Sequence, residues 1–571
     1  MIMMDKALPC LFLSLLLPAL SVAAQTSSQA VSPALSNTQK TVWEPDLGNG
    51  RYRNPIIHAD YSDPDVIRVG DQYYMTASSF NSAPGLPLLQ SSDMIHWALV
   101  GHALPNLIPA EMFSTPQHGK GVWAPSLRFH DGKFWIFYPD PDVGIYVMTA
   151  KNFAGPWSSP HLLIAGKGLI DPTPLWDDDG KAWLLHAWAK SRAGFNNQLS
   201  LKSMSSDASQ ILEDKGVVID GNQLAGYTTL EGPKFYKHNG WYYVFAPAGG
   251  VEHGWQTVFR AKNILGPYEE KIVLAQGSSS TNGPHQGAWV TAQDGSDWFY
   301  HFQDKRAYGR IVHLQPMTWE NDWPIMGVKN AKTGIGEPVA EWQKPLSNAL
   351  STKVSKVTPA ESDNFSQSQL GLQWQWNANW KAEWYSLSAH KNHLRLYPQT
   401  LAENNSLIDY PAIILQKIPA PEFNVSVKIN LNTNTDGDRA GLILYGLNYA
   451  WVGIQRHQGH YELRYTTCTG VGKCQEKVLE QKAISSSELQ LKLSMRAGGI
   501  AQFYYSENVD PSTKDLTAIG APFVAAPGRW VGAKIGLFSV TSTVSPTATP
   551  VTVNRQKTYA DFSSFNIKAA D

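Results

Sequence analysis

Ser62-Asp63-Pro64-Asp65, followed a few residues later by Gly70-Asp71-Gln72-Tyr73-Tyr74, is one copy of a pattern that decides the fold. Four more copies follow. Trp123-Ala124-Pro125-Ser126 precedes Asp131-Gly132-Lys133-Phe134-Trp135, and Ile170-Asp171-Pro172-Thr173 precedes Asp179-Gly180-Lys181-Ala182-Trp183. Leu230-Glu231-Gly232-Pro233 precedes Asn239-Gly240-Trp241-Tyr242-Tyr243, and Pro284-His285-Gln286-Gly287 precedes Asp294-Gly295-Ser296-Asp297-Trp298. Asp-Gly and Asn-Gly between apolar runs are hairpin signals, because both central residues of a type I′ turn need positive φ. The copies recur at roughly fifty to sixty residues, the size of a propeller blade with long loops. Each polar element would then begin the innermost strand of its blade. That places Asp63, Trp123, Asp171, Glu231 and His285 around one central axis. Any single Asp-Pro or Gly-Pro pair is an ordinary turn; the same phase in five copies carries the argument.

Outward from this repeat the chain divides naturally. Its 571 residues exceed what one core usually supports. Residues 51–335 hold the repeat and read as a five-bladed β-propeller. Residues 336–361, with Pro338, Pro345 and Pro359, read as a linker. From 362 to 571 short alternating segments such as Val425-Ser426-Val427-Lys428-Ile429 and Leu489-Gln490-Leu491-Lys492-Leu493 predict a β-sandwich of jelly-roll type, making the protein all-β. Residues 1–24 read as a signal peptide: Lys6 precedes the apolar run Leu8 to Val22, and Val22-Ala23-Ala24 is a small-residue cleavage site. Residues 25–50 follow as an N-terminal linker. The expected product is exported, periplasmic or secreted, with no membrane segment in its mature form.

Composition excludes several functions. Lys and Arg number 47 against 48 Asp and Glu, without long runs of one sign, so nothing draws in nucleic acid. No Walker loop or HExxH motif is present. After the signal peptide two cysteines remain, Cys468 and Cys474; an oxidising compartment would permit a local disulfide between them. Trp (21) and Tyr (23) are abundant. Most fit a β-rich core; a few could stack on sugar rings.

Three acids on one axis suit glycoside hydrolysis, which needs one carboxyl that keeps its proton and another that does not. Asp63 stands in a polar setting beside Asp65, suited to a base. Glu231, flanked by Leu230 and Gly232-Pro233, is the better candidate for a partly desolvated acid. Asp171 would raise the acid's pKa by like-charge repulsion.

Asp63-Pro64, Asp171-Pro172 and Glu231-Gly232-Pro233, in this order and on this repeat, resemble glycoside hydrolase family 43. The likeness runs from Asn54-Pro55-Ile56-Ile57 to Trp323-Pro324 and includes Gly121-Val122-Trp123-Ala124-Pro125. The segment after Asp363, with Leu372-Gln373-Trp374-Gln375-Trp376, is similar to the concanavalin A-like sandwich that follows the propeller in β-xylosidases of that family. The resemblance implies Asp63 as general base, Asp171 as pKa modulator, Glu231 as general acid, and net inversion. It implies that Arg310, Phe80 and Trp123 contact the terminal sugar. It implies no organic cofactor, and a cavity near His285 that could hold a cation, commonly calcium. A structural calcium near Asp363 and Asp561 would be a second metal site. The expected activity is exo-acting β-xylosidase on xylo- or arabinoxylo-oligosaccharides, with α-L-arabinofuranosidase as the alternative. Two rivals are weaker. Invertase-like fructosidases carry Arg before the second acid and Cys after the third, where this chain has Ile170 and Gly232. A sugar-binding propeller without activity would have no use for the three acids.

Overall fold

The structure, a computed structural model, describes residues 41–346, 362–401, 406–470, 474–510, 516–541 and 558–570. The expected signal peptide, residues 1–24, and residues 347–361 of the expected linker lie outside them. Five sheets, each with four antiparallel strands paired in chain order, form the blades, and the fourth carries two further short strands. Their innermost strands are Asp65–Val69, Ser126–His130, Leu169–Trp176, Lys234–His238 and His285–Thr291. All five predicted turns close the hairpin after an innermost strand, but not with one geometry. Asp131-Gly132 and Asn239-Gly240 have positive φ at both residues, as type I′ requires. In Gly70-Asp71 only the glycine is positive, the type II′ arrangement. In the third and fifth blades strand pairing stops at Trp176–Ala182 and Thr291–Asp297, leaving longer loops with only Gly180 and Gly295 positive.

Burial between blades builds the ring. Leu86 and Leu88 of the first blade pack with Leu127 and Phe134 of the second. Phe137 and Val147 meet Leu184 and Met204 of the third, and Leu185 and Leu199 meet Phe235 and Val244 of the fourth. Phe245 and Val258 meet Phe299 and Met317 of the fifth; Tyr300 and Leu314 return to Tyr73 and Met75 of the first. Each fully buried Leu or Phe contributes about 1.5–3 kcal/mol. A polar stitch runs beneath the axial loops. The buried Asp65 carboxylate accepts from Arg128 and from the Leu127 N–H, Arg128 reaches Thr173, and Lys234 donates to the Pro125 carbonyl and Ser126.

Two segments expected to be linkers are part of this architecture. Gly336–Glu337 pairs with Leu274 and with Val328–Lys329, extending the fourth blade, and Glu341–Gln343 pairs with Arg51–Arg53. Prolines suggested a linker here, yet Pro338 and Pro345 lie just outside these short strands, where a missing N–H costs no ladder bond. Within the N-terminal segment, Trp43 lies under the Arg53 guanidinium and donates to the Pro55 carbonyl.

The second half is a concanavalin-like sandwich of two sheets. One contains Ile414–Lys417, Lys534–Thr541, Arg439–Tyr445, Tyr449–His457, His460–Cys468 and Glu476–Ile484; the other is built on Phe423–Asn432, Tyr559–Ala569, Glu488–Arg496 and Ile500–Ser506. Strict alternation buries Val425, Val427, Ile429 and Leu431 against Leu489, Leu491 and Leu493. Cys468 and Cys474 are disulfide-bonded. The sandwich seats on the propeller by specific bonds. Ala83 and Trp376 form a backbone bridge, Asn81 donates to the Asn377 carbonyl, and Asn379 exchanges bonds with both backbone groups of Leu107.

Candidate active site

Each axial element enters its blade through an irregular backbone, which turns its side chain onto the axis. Asp63 and Asp171 have φ of 55° and 53°, a left-handed conformation that Asp tolerates better than bulkier residues. Strand pairing shifts between Ile170 and Thr173, and again between His285 and Gly287. Such bulges re-aim side chains at the start of a strand.

The three acids occupy distinct surroundings. The hydrogen bonds to Asp63 all come from donors: Ser78 Oγ at 2.5 Å, Ser62 Oγ at 2.7 Å and Arg310 Nη1 at 3.2 Å. Hydroxyl and guanidinium donors suit an ionised carboxylate. Asp171 is buried, and its Oδ2 accepts from the Gly232 N–H at 2.8 Å. Burial, then the charges of Glu231 and Asp63, push it up to about 8 against the opposing pull of that N–H. Glu231 shares a 3.2 Å hydrogen bond with His285 Nε2, and its side chain is 25% exposed. Desolvation therefore falls most heavily on Asp171, not on Glu231 as its apolar sequence neighbours suggested. The short Asp171 side chain is held back against Gly232, while the longer glutamate reaches toward the open end.

The predicted sugar contacts gather here too. Phe80 and Trp123 lie 6.1 Å apart, and Arg310 bonds Ser62 Oγ at 2.8 Å beside Asp63. One wall was not legible in the sequence. Trp530, from the sandwich, stands 6.2 Å from Trp123 and 6.0 Å from the Arg310 guanidinium. Phe80, Trp123 and Trp530 thus form an aromatic arc ending at Arg310. Trp530 has φ of 66°, rare for a bulky residue and characteristic of strained positions at functional sites. It belongs to no repeat, and only the docking of the two halves reveals it.

The calcium expectation near Asp363 and Asp561 does not fit the donors present. Asp363 accepts from the Phe365 N–H and Trp374 Nε1. Asp561 is gripped on both oxygens by Arg395 and also meets His390. A guanidinium occupies the place a cation would need. At His285 the protein brings one imidazole with Glu231 Oε1 3.2 Å from its Nε2, where calcium prefers six to eight oxygens. Among the described residues no group of three or more His, Cys, Asp or Glu side chains could hold a metal.

The profile for glycosyl hydrolases family 43 matches residues 52–324, and that for the beta xylosidase C-terminal concanavalin A-like domain matches 362–568. A beta-xylosidase of Formosa agariphila is 32% identical over 558 residues, covering 89% of this chain and 90% of its own. The chain belongs to glycosyl hydrolase family 43. This family 43 glycosidase is also 30% identical to a non-reducing end alpha-L-arabinofuranosidase of Bacteroides ovatus, across 77% of its length and 81% of the relative's. A solved structure of a bifunctional GH43-CE protein of Bacteroides eggerthii superposes with a TM-score of 0.77 at 27% identity. The alignment covers 91% of this chain and 64% of that one.

The buried Asp171 carries a prediction on stability. A carboxyl whose folded pKa lies above its unfolded value stabilises fully below the unfolded pKa, and that contribution is lost as pH rises through the folded pKa. With Asp171 raised from 3.8 to about 8, the loss accumulates across that window. Asp171→Asn keeps an acceptor for Gly232 and removes the charge. Its Tm should gain on the wild type as pH rises from 5 to 8, while activity falls. Melts at both pH values check this; a constant Tm difference would contradict it.

Proposed function

We propose that this family 43 hydrolase is an exported, exo-acting β-xylosidase that works by inversion on the non-reducing ends of xylan-derived oligosaccharides. The observation carrying this reading is the meeting of three carboxyls in unlike surroundings on one axis. Asp63, ringed by donors, is the base: it takes a proton from the water whose oxygen attacks the anomeric carbon. Glu231 is the acid and gives its proton to the glycosidic oxygen as the bond breaks. A single displacement of this kind inverts the anomeric centre. Asp171 and Glu231 form an interacting pair of carboxyls: like-charge repulsion disfavours ionising both, so the pair keeps one proton, which Glu231 delivers. His285 Nε2 lies 3.2 Å from Glu231 Oε1 and holds that oxygen, leaving the other for the proton. Phe80, Trp123 and Trp530 bound a short pocket for one terminal sugar, with Arg310 at its polar side. Export rests on the N-terminal sequence from Lys6 to Ala24.

The relatives' names support both pentoses, with β-xylosidase the main reading and α-L-arabinofuranosidase the second. Comparing kcat/KM on nitrophenyl β-xyloside and nitrophenyl α-L-arabinofuranoside decides between them. The xyloside should be favoured, and xylotetraose should shorten one unit at a time. Preference for the arabinofuranoside would exchange the readings. Binding without turnover of either would point to a sugar-binding propeller.

A further inference from the structure

We infer that Asp60 is a positioning residue that fastens the sandwich's Trp530 loop to the sugar-binding Arg310. The inference rests on reading the axial cavity as a terminal-sugar pocket. Asp60 is buried three positions before Asp63. Its Oδ1 accepts from the Arg310 N–H at 2.9 Å and its Oδ2 from the Gly532 N–H, also at 2.9 Å. One carboxylate thus joins the segment of the base, the strand of the arginine and the loop of the distant sandwich. The chain tightens around it. A Cβ on Gly309, where φ is 74°, would lie 2.4 Å from Asp60 Cγ; one on Gly532 would lie 2.7 Å from the Gly309 nitrogen. The Ala533 N–H donates to the Ala307 carbonyl at 2.7 Å, continuing the seam.

The seam bears on the pocket because it ends two residues from Trp530. That tryptophan is 40% exposed, and its ring neighbours are Trp123, Arg310 and the adjacent Arg529. Fixing Gly532, two residues on, fixes the direction in which the ring is presented. Displacement of a positioning group by about an ångström can cost up to about a hundredfold in rate. Burial holds two lysines of the sandwich, Lys417 and Lys534, below the usual lysine range, Lys534 at about 7, and the Asp60 charge opposes that fall. Lys534 donates to Ser82 Oγ at 2.5 Å, two residues beyond Phe80, so the same junction supports both ends of the aromatic arc.

The test compares wild type, Asp60→Asn, Trp530→Ala and the double variant. In Asp60→Asn one oxygen becomes an NH2 group facing a backbone N–H, and one tether is lost. Amide exchange in a peptide spanning residues 526–533 should speed by about tenfold, with peptides of the blades unchanged. On nitrophenyl β-xyloside KM should rise about tenfold, with the pH limits of kcat unmoved. The double variant should be no worse than Trp530→Ala alone, since both remove one function. Should Asp60→Asn unfold, Gly532→Ala opens the same seam from the sandwich side and should give the same exchange signature. Unchanged exchange at 526–533, or losses that multiply in the double variant, would overturn the inference. The exchange measurement stands even if neither nitrophenyl substrate is turned over, an outcome that would remove the glycosidase reading alone.

Discussion

Glu231→Ala should lower kcat/KM on xylobiose by about 10³–10⁴-fold, near the upper range for loss of a general acid. On dinitrophenyl β-xyloside the loss should be far smaller. The contrast follows from the leaving group. A sugar hydroxyl is a poor leaving group and needs its oxygen protonated as the bond breaks, whereas dinitrophenolate departs without help. The alkaline limit of the pH–rate profile should vanish with the same change. Glu231 is placed for this role by its reach toward the open end and by the hydrogen bond to His285. Parallel steady-state kinetics on the two substrates supply the check; equal losses on both would remove Glu231 from the acid role.

Asp63→Asn should lower kcat by about 10²–10⁴-fold on both substrates alike, because the attacking water needs a proton acceptor whatever group departs. Fold should survive. The amide oxygen still accepts from Arg310, and the Ser62 and Ser78 hydroxyls can rotate to accept from the amide nitrogen. KM should change little, since Arg310 retains its bond to Ser62 Oγ. The acidic limb of the pH profile, which reports the base, should disappear. Kinetics across pH on the xyloside would expose the opposite result, a loss that tracks the leaving group. The two variants thus separate base from acid by pattern rather than by size.

The propeller was legible because its signals are local and repeated. A turn dipeptide and an axial polar element in the same phase, five times over, leave few other architectures. The axial residues followed, since a radial repeat converts equal phase into shared position. Environment was less legible. Asp171 and Glu231 differ in burial through side-chain length and the placement of one N–H, and no local composition encodes that. The strands at Gly336–Glu337 and Glu341–Gln343 were hidden by neighbouring prolines, which mark both linkers and strand ends. Trp530 and Asp60 were invisible for a different reason. Their roles arise where two separately folded sheet systems meet, between residues hundreds of positions apart. The calcium expected near Asp363 and Asp561 finds no support in the donors there, because Arg395 answers the Asp561 charge and Asp363 is held by Trp374 and the Phe365 N–H.

The central claim is a single displacement in which water attacks opposite the departing group. Proton NMR of the reaction with a β-xyloside, recorded faster than mutarotation, reads it directly. The account predicts that α-xylose is the first-formed anomer, with β-xylose growing in later at the rate of mutarotation. First-formed β-xylose would contradict it, because retention requires a carboxylate to attack the sugar itself.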